Sequence, residues 1–193
     1  MIKSIGLAYP EWEAYFRSFI PELKLFQVGD NIHDYKLMIF PGGADVNPAI
    51  YKEKNTSSFI SVIRDTTELN ILHQCINAGI KIFGICRGHQ LINAATGGKL
   101  IQDLHHEDTH EISWMQDHDV RSFFPNYVNS MHHQGYSIPK ISPDLTAIAV
   151  EPTTGVVEVA TDFKNILTVQ FHPESMGSKS IKFFDWLTNV WTT

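Results

Sequence analysis

GIKIFGICRGHQLINAA, residues 79–95, runs from apolar and β-branched residues through Cys86, set between Gly84 and Gly88, into a segment with helical spacing. Ile80 to Ile85 is short, apolar and bounded by turn residues, the pattern of a strand buried on both faces. Leu91, Ile92 and Ala95 then mark one face of a helix of about ten residues. A sharp strand-to-helix turn lifts one side chain to the carboxyl edge of a parallel sheet, where open α/β folds bind their ligands. Gly84 and Gly88 flank the cysteine because so tight an elbow brings backbones closer than a Cβ allows. At the helix start the sulfur sits at the positive end of the dipole, which stabilises a thiolate. On this stretch alone, an activated nucleophile competes with a small buried hydrophobe in a packing turn.

Outward from the elbow the same rhythm repeats. Ile2 to Ala8 and Leu23 to Val28 read as strands around a helix from Glu11 to Ile20, and Leu37 to Phe40 as a strand ending in Pro41-Gly42-Gly43. Asp65 to Ala78 puts Leu69, Leu72, Cys75 and Ile76 on one helical face, with Gly79 as terminator, so Cys75 is assigned to the core. The fold class is α/β. Beyond Gly97-Gly98 the elements shorten: Glu111–Met115, Tyr127–Asn129, Leu145–Val150, Val156–Ala160 and Ile166–Phe171 read as strands, so this half is β-rich. A last helix, Ser178 to Trp191, carries Ile181, Phe184, Leu187 and Trp191 on one stripe, and its aromatics are read as packing. No repeat or change of composition divides the 193 residues, so a single domain spanning 1–193 is expected.

Composition narrows the function. The net charge of -6, with Lys and Arg scattered, disfavours a nucleic-acid or anionic-membrane surface and leaves a small-molecule substrate. The apolar run before Tyr9-Pro10 is too short for a signal segment, and a cytoplasmic location is expected. The two cysteines form no C-x-x-C pair, so neither a disulfide framework nor a zinc knuckle is expected.

A cysteine nucleophile needs a base and a group to orient it. Of ten histidines, His172 in TVQFHPES is the best placed, directly after an apolar β-run and two residues before Glu174. In an extended segment positions i and i+2 face the same way, and Pro173 is expected to keep the segment extended, so that Glu174 reaches the imidazole. Oxyanion donors are available from the N–H of Arg87, at the helix N-terminus, and from the Pro41-Gly42-Gly43 turn, which taken alone a plain structural role explains better. His105, His106, Asp108 and His110 lie close together, but their spacing fits no common zinc pattern; no metal or cofactor is expected.

With the elbow, the glycine turn and the His-x-Glu in this order, the sequence resembles the class I glutamine amidotransferase superfamily, closest to the γ-glutamyl-γ-aminobutyrate hydrolase (peptidase C26) group. The resemblance rests on FPGGADVNPAIY (40–51), RDTTELNIL (64–72), GIKIFGICRGHQLINAATGGKLIQDL (79–104), VNSMHHQGY (128–136), GVVEVA (155–160) and VQFHPE (169–174). It implies a doubly wound, mostly parallel, flavodoxin-like sheet with flanking helices and a small extra β region. It also implies that a Cys86–His172–Glu174 triad cleaves a γ-glutamyl amide through a thioester on Cys86. By position, Gly43 and Arg87 would supply the oxyanion donors. Gly42, Gln90, His133 and Gln134 would bind the glutamyl part, the last two through their backbone, and His132-His133 would be pocket wall rather than base. The implied partner is a small γ-glutamyl substrate, with a separate synthetase if the chain is an amidotransferase's glutaminase subunit. The chain departs from the group in two shortened stretches, from Tyr9 to Leu37 and between Glu111 and VNSMHHQ, which bears on the amine half of the substrate. Leaving-group preference is expected from loops Asn47–Ser58 and Asp117–Asn126.

Overall fold

Strand residues that are apolar on both faces call for cover on both sides, and the chain supplies it by alternating strands with helices. The computed structural model describes residues 3–104 and 109–192. The first half runs β1 (Ser4–Leu7), α1 (Glu13–Phe19), β2 (Lys24–Leu25), β3 (Tyr35–Phe40), α2 (Val62–Ala78), β4 (Lys81–Ile85) and α3 (Arg87–Ala95). The second half is β5 (Thr109–Glu111), β6 (Ser113–Trp114), β7 (Tyr127–Asn129), β8 (Thr146–Val150), β9 (Val157–Thr161), β10 (Ile166–Val169) and α4 (Ser178–Asn189).

Eight strands form one sheet in the order β2-β1-β3-β4-β10-β9-β8-β6. From β2 to β10 neighbours are parallel, and β9, β8 and β6 extend the sheet antiparallel. β5 and β7 make a separate two-stranded sheet. The expected doubly wound, mostly parallel α/β architecture with a small extra β region is therefore present. The register sets Phe40 beside Gly84 and Ile85 beside Val169, so β3, β4 and β10 all end at one edge. The residues immediately after these three strands, 41–43, 86 and 170–172, share that edge.

The strand period of two divides the core. Leu37, Ile39, Phe83 and Ile85 pack with Phe16 of α1 and with Phe183, Phe184 and Leu187 of α4. Met38, Phe40 and Ile82 pack with Ile71, Leu72 and Cys75 of α2 and with Leu91 and Ile92 of α3. The α4 aromatics are packing residues, as expected: Phe183 sits 5.1 to 6.2 Å, centroid to centroid, from Phe184, Phe123 and Trp186.

Some sequence expectations shift. Ile76 and Ile181, placed on buried stripes, are 41% and 58% exposed. The inward face of α2 instead begins a turn and a half earlier with Arg64, Asp65 and Glu68, before Ile71, Leu72 and Cys75. Gly79 closes that helix at φ 65, as its position predicts. The strand expected at Glu111–Met115 is two: β5 pairs with β7 and β6 with β8, and the chain changes sheets at buried Ile112. Among the described residues no helix is long and apolar enough to cross a membrane.

Candidate active site

Cys86 stands between β4 and α3 at φ 48, ψ −102, a backbone conformation that residues with a Cβ seldom adopt. Hydrogen bonds hold it on both sides: its N–H donates to the Val169 carbonyl at 2.8 Å, and its carbonyl accepts from the Gln90 N–H at 3.1 Å. The two glycines are needed for the reason the sequence suggests. A Cβ on Gly84 would lie 2.6 Å from Ile92 Cδ1 and 2.9 Å from the Gly88 carbonyl, and one on Gly88 would overlap the Phe40 carbonyl. The elbow is thus pressed against β3. As the first residue of α3, Arg87 has a backbone N–H without an intrahelical partner.

His172 follows β10, and Asn129 at the end of β7 clamps its backbone. The Asn129 Nδ2 donates to the His172 carbonyl at 3.0 Å and the His172 N–H donates to Asn129 Oδ1 at 2.8 Å. His172 is 2% exposed; its Nδ1 lies 2.7 Å from Glu174 Oε1, and Cys86 is close enough to act on its charge. Burial opposes charge on this ring, but Cys86 and Glu174 outweigh it and raise the pKa to about 10. The Trp12 ring covers the imidazole at 5.8 Å. Gly42 approaches from the other strand end, where a Cβ would come within 2.5 Å of His172 Cε1. The structure therefore brings Cys86, His172 and Glu174 together, though not by the expected backbone route. Pro173–Ser175 is a turn of 3-10 helix rather than an extended segment, and this bend returns Glu174 to the ring.

Behind the glycine turn lies a buried ionic cluster. Arg64 and Arg87, 2% and 0% exposed, meet Glu68, Asp65 and Glu11. The Arg87 guanidinium turns from the cleft toward Glu68 and, at 2.5 Å, Asp65. Arg64 Nη2 donates to the Gly42 carbonyl at 2.7 Å and the Pro41 carbonyl at 3.2 Å, while its Nη1 pairs with Glu11. Gly43, at φ 145, leaves space that a Cβ would take from that guanidinium. Sequence reasoning missed this cluster. Its trace is RDTTE, charges at i, i+1 and i+4 on the face of a helix that continues as apolar.

The cleft beside Cys86 has a volume of about 610 Å³; Gly43, Asp45, Gln90, Ser130, Met131 and His133 are among its lining. Gln90 Nε2 donates to the Gln134 carbonyl at 2.7 Å. The Gln134 side chain faces away and braces the 46–58 loop, accepting from the Val46 N–H at 2.8 Å and donating to Ser58 Oγ at 2.6 Å. His133 pairs with Asp45 at 3.0 Å, and His132 Nδ1 donates to the Gln134 carbonyl at 2.8 Å; both sit on the cleft wall. No residue of the Asp117–Asn126 loop is among the lining of this cleft: residues 117–119 and 121–123 line a separate one with Trp186 of α4. Of the histidine-rich stretch, His105, His106 and Asp108 lie outside the described residues, and His110 Nε2 is 3.2 Å from buried Glu158.

A sheet of this order with a cysteine elbow on its carboxyl edge is the glutamine amidotransferase fold. A glutamine amidotransferase from Thermotoga maritima superposes with a TM-score of 0.69 at 15% identity, covering 96% of this chain and 81% of that one. The chain belongs to the Peptidase C26 family, whose profile matches residues 24–174. It is 36% identical to the glutamine amidotransferase-like protein YvdE of Lactococcus lactis, over 75% of this chain and 70% of that protein. It is 31% identical to the γ-glutamyl-γ-aminobutyrate hydrolase PuuD of Escherichia coli, over 72% of this chain and 64% of that protein.

Proposed function

We propose that this family member hydrolyses a γ-glutamyl amide through a thioester on Cys86. The observation that carries the reading is the buried line Cys86–His172–Glu174, opening on a cleft at the carboxyl edge of the sheet. In the first half-reaction Cys86 Sγ, as thiolate beside protonated His172, bonds to the amide carbon and its carbonyl oxygen becomes an oxyanion. The N–H groups of Gly43 and Arg87 receive that charge. The C–N bond then breaks as His172 passes its proton to the departing amine. In the second half, His172 takes a proton from water, the hydroxide attacks the thioester, and glutamate leaves as the thiolate re-forms beside protonated His172. Glu174 holds the imidazole in the orientation both transfers use.

Gln90, Gly42 and the backbone of His133-Gln134 bind the glutamyl end. Leaving-group choice falls to Ala44, Asp45, Phe59 and Met131 on the outer cleft wall, since no residue of 117–126 lines it. A second reading, the glutaminase subunit of an amidotransferase, draws on Phe59, 79% exposed on the cleft wall, and on Val62 and Ile63 just after it in the chain, 59% and 80% exposed, as a face for a synthetase. The two readings separate on a panel of γ-glutamyl amines assayed beside glutamine on the purified chain. Release of glutamate from at least one γ-glutamyl amine faster than from glutamine is expected. Turnover of glutamine alone, and only with a co-purifying partner, selects the second reading.

A further inference from the structure

We propose that Arg64, although outside the cleft, is the residue that sets and polarises the oxyanion donor of Gly43. The inference rests on the hydrolase reading for its kinetic test. The peptide joining Gly42 to Gly43 is trans and planar, so its carbonyl and its N–H point in opposite directions. Arg64 Nη2 holds that carbonyl at 2.7 Å from the side of α2, which turns the Gly43 N–H toward the cleft that Gly43 shares with Cys86. The Pro41 carbonyl, 3.2 Å from the same nitrogen, fixes the preceding peptide as well.

Glycines otherwise leave such a turn free to rotate. Two neighbouring glycines, one at φ 145, would give the Gly42–Gly43 peptide more than one orientation, and only one of them presents the N–H to an oxyanion. A cation on the carbonyl also draws electron density through the amide and makes its N–H a stronger donor. The guanidinium is itself held by its surroundings: 2% exposed, over the Tyr9 ring at 4.5 Å, and paired with buried Glu68 and exposed Glu11. Glu68 joins Arg64 to Arg87, so one carboxylate stands behind both residues whose N–H groups face the reacting carbonyl. Arg64 touches no substrate; it is a positioning residue.

The experiment compares wild type with Arg64→Met and Arg64→Lys. The lysine variant keeps a positive charge for Glu68 should the methionine variant fold poorly. On a γ-glutamyl anilide, Arg64→Met is expected to lower kcat about 10- to 100-fold, within the cost of losing one oxyanion donor, with KM changed less than about threefold. Arg64→Lys is expected to recover part of kcat. Alkylation of Cys86 by iodoacetamide, which needs the Cys86–His172 pair but no oxyanion donor, should stay within about twofold of wild type. A kcat within about threefold of wild type in a folded Arg64→Met variant overturns the proposal, as does a parallel fall in alkylation. Wild type that cleaves no γ-glutamyl amide refutes the hydrolase reading instead. The inference then stands or falls on the 15N relaxation order parameter of Gly43, expected to drop in Arg64→Met and overturned if it does not.

Discussion

Cys86 and Cys75 are both buried thiols, yet their surroundings assign them opposite work. Cys75 packs among Ile71, Leu72 and Ile82, and burial alone pushes its thiol up to about 12, so it stays protonated and inert. Cys86 instead stands beside the His172 imidazole, whose pKa it and Glu174 raise to about 10. Cys86→Ala should therefore abolish glutamate release with an unchanged melting curve, whereas Cys75→Ala should keep activity and cost about 1 kcal/mol in chemical denaturation. His172 also sets a pH dependence. Its folded pKa, about 10, lies above the ordinary value of 6.5, so its protonation stabilises the fold fully below about 6.5, a contribution lost as pH rises through about 10. In the proposed reaction the same proton is the one handed to the leaving amine. Activity should hold from pH 7 to 9 and fall near 10, and Glu174→Gln should move that alkaline limb down by roughly one to three pH units. The stability deficit of Glu174→Gln should be larger at pH 7 than at pH 11, read from denaturant midpoints at both.

The elbow is built by β4 and α3, and its tolerance is set where they press on β3. The Gly88 position faces the Phe40 carbonyl with no room for a methyl group. Gly88→Ala should displace α3 and with it Cys86, costing about 1–3 kcal/mol in denaturation and more activity than that loss of stability explains. Gly84, Gly88 and the dipole at the start of α3 were readable from spacing, because steric demands of a tight turn act on neighbours in sequence. The inward face of α2 was not. Its apolar positions Leu72 and Cys75 were correctly placed, but nothing in the spacing assigned a role to Arg64, Asp65 and Glu68, whose partners Arg87 and Glu11 lie elsewhere in the chain. The 3-10 turn at Pro173–Ser175 was likewise hidden. A proline admits both an extended chain and the first turn of a helix, and here the turn prevails.

Taken whole, the molecule's charge and sheet order bear on where substrate enters and what the chain requires. The net charge of -6 and the cleft at the ends of β3, β4 and β10 suit a small zwitterion better than a polyanion. The proposed reaction uses thiol, imidazole and backbone N–H groups, so turnover of a γ-glutamyl amide should survive EDTA unchanged. Restoration of lost activity by added zinc would reassign the His105–His110 stretch to a metal role. The sequence by itself determined the strand–turn–helix at 79–95, the alternation that makes an α/β sheet and the burial of Cys75, and it nominated Cys86, His172 and Glu174 as the candidates proposed here. Each of these follows from local sterics, periodicity or short spacing, which a linear chain displays. Tertiary structure alone decided that Asn129 clamps His172, that Gln134 braces the 46–58 loop and that residues of the 117–126 loop line a separate cleft with Trp186. It also decided that Arg64 backs the glycine turn. Those contacts join residues 22 to 88 positions apart, and hydrogen bonds between such partners depend on sheet order and packing, which have no signature in any one stretch.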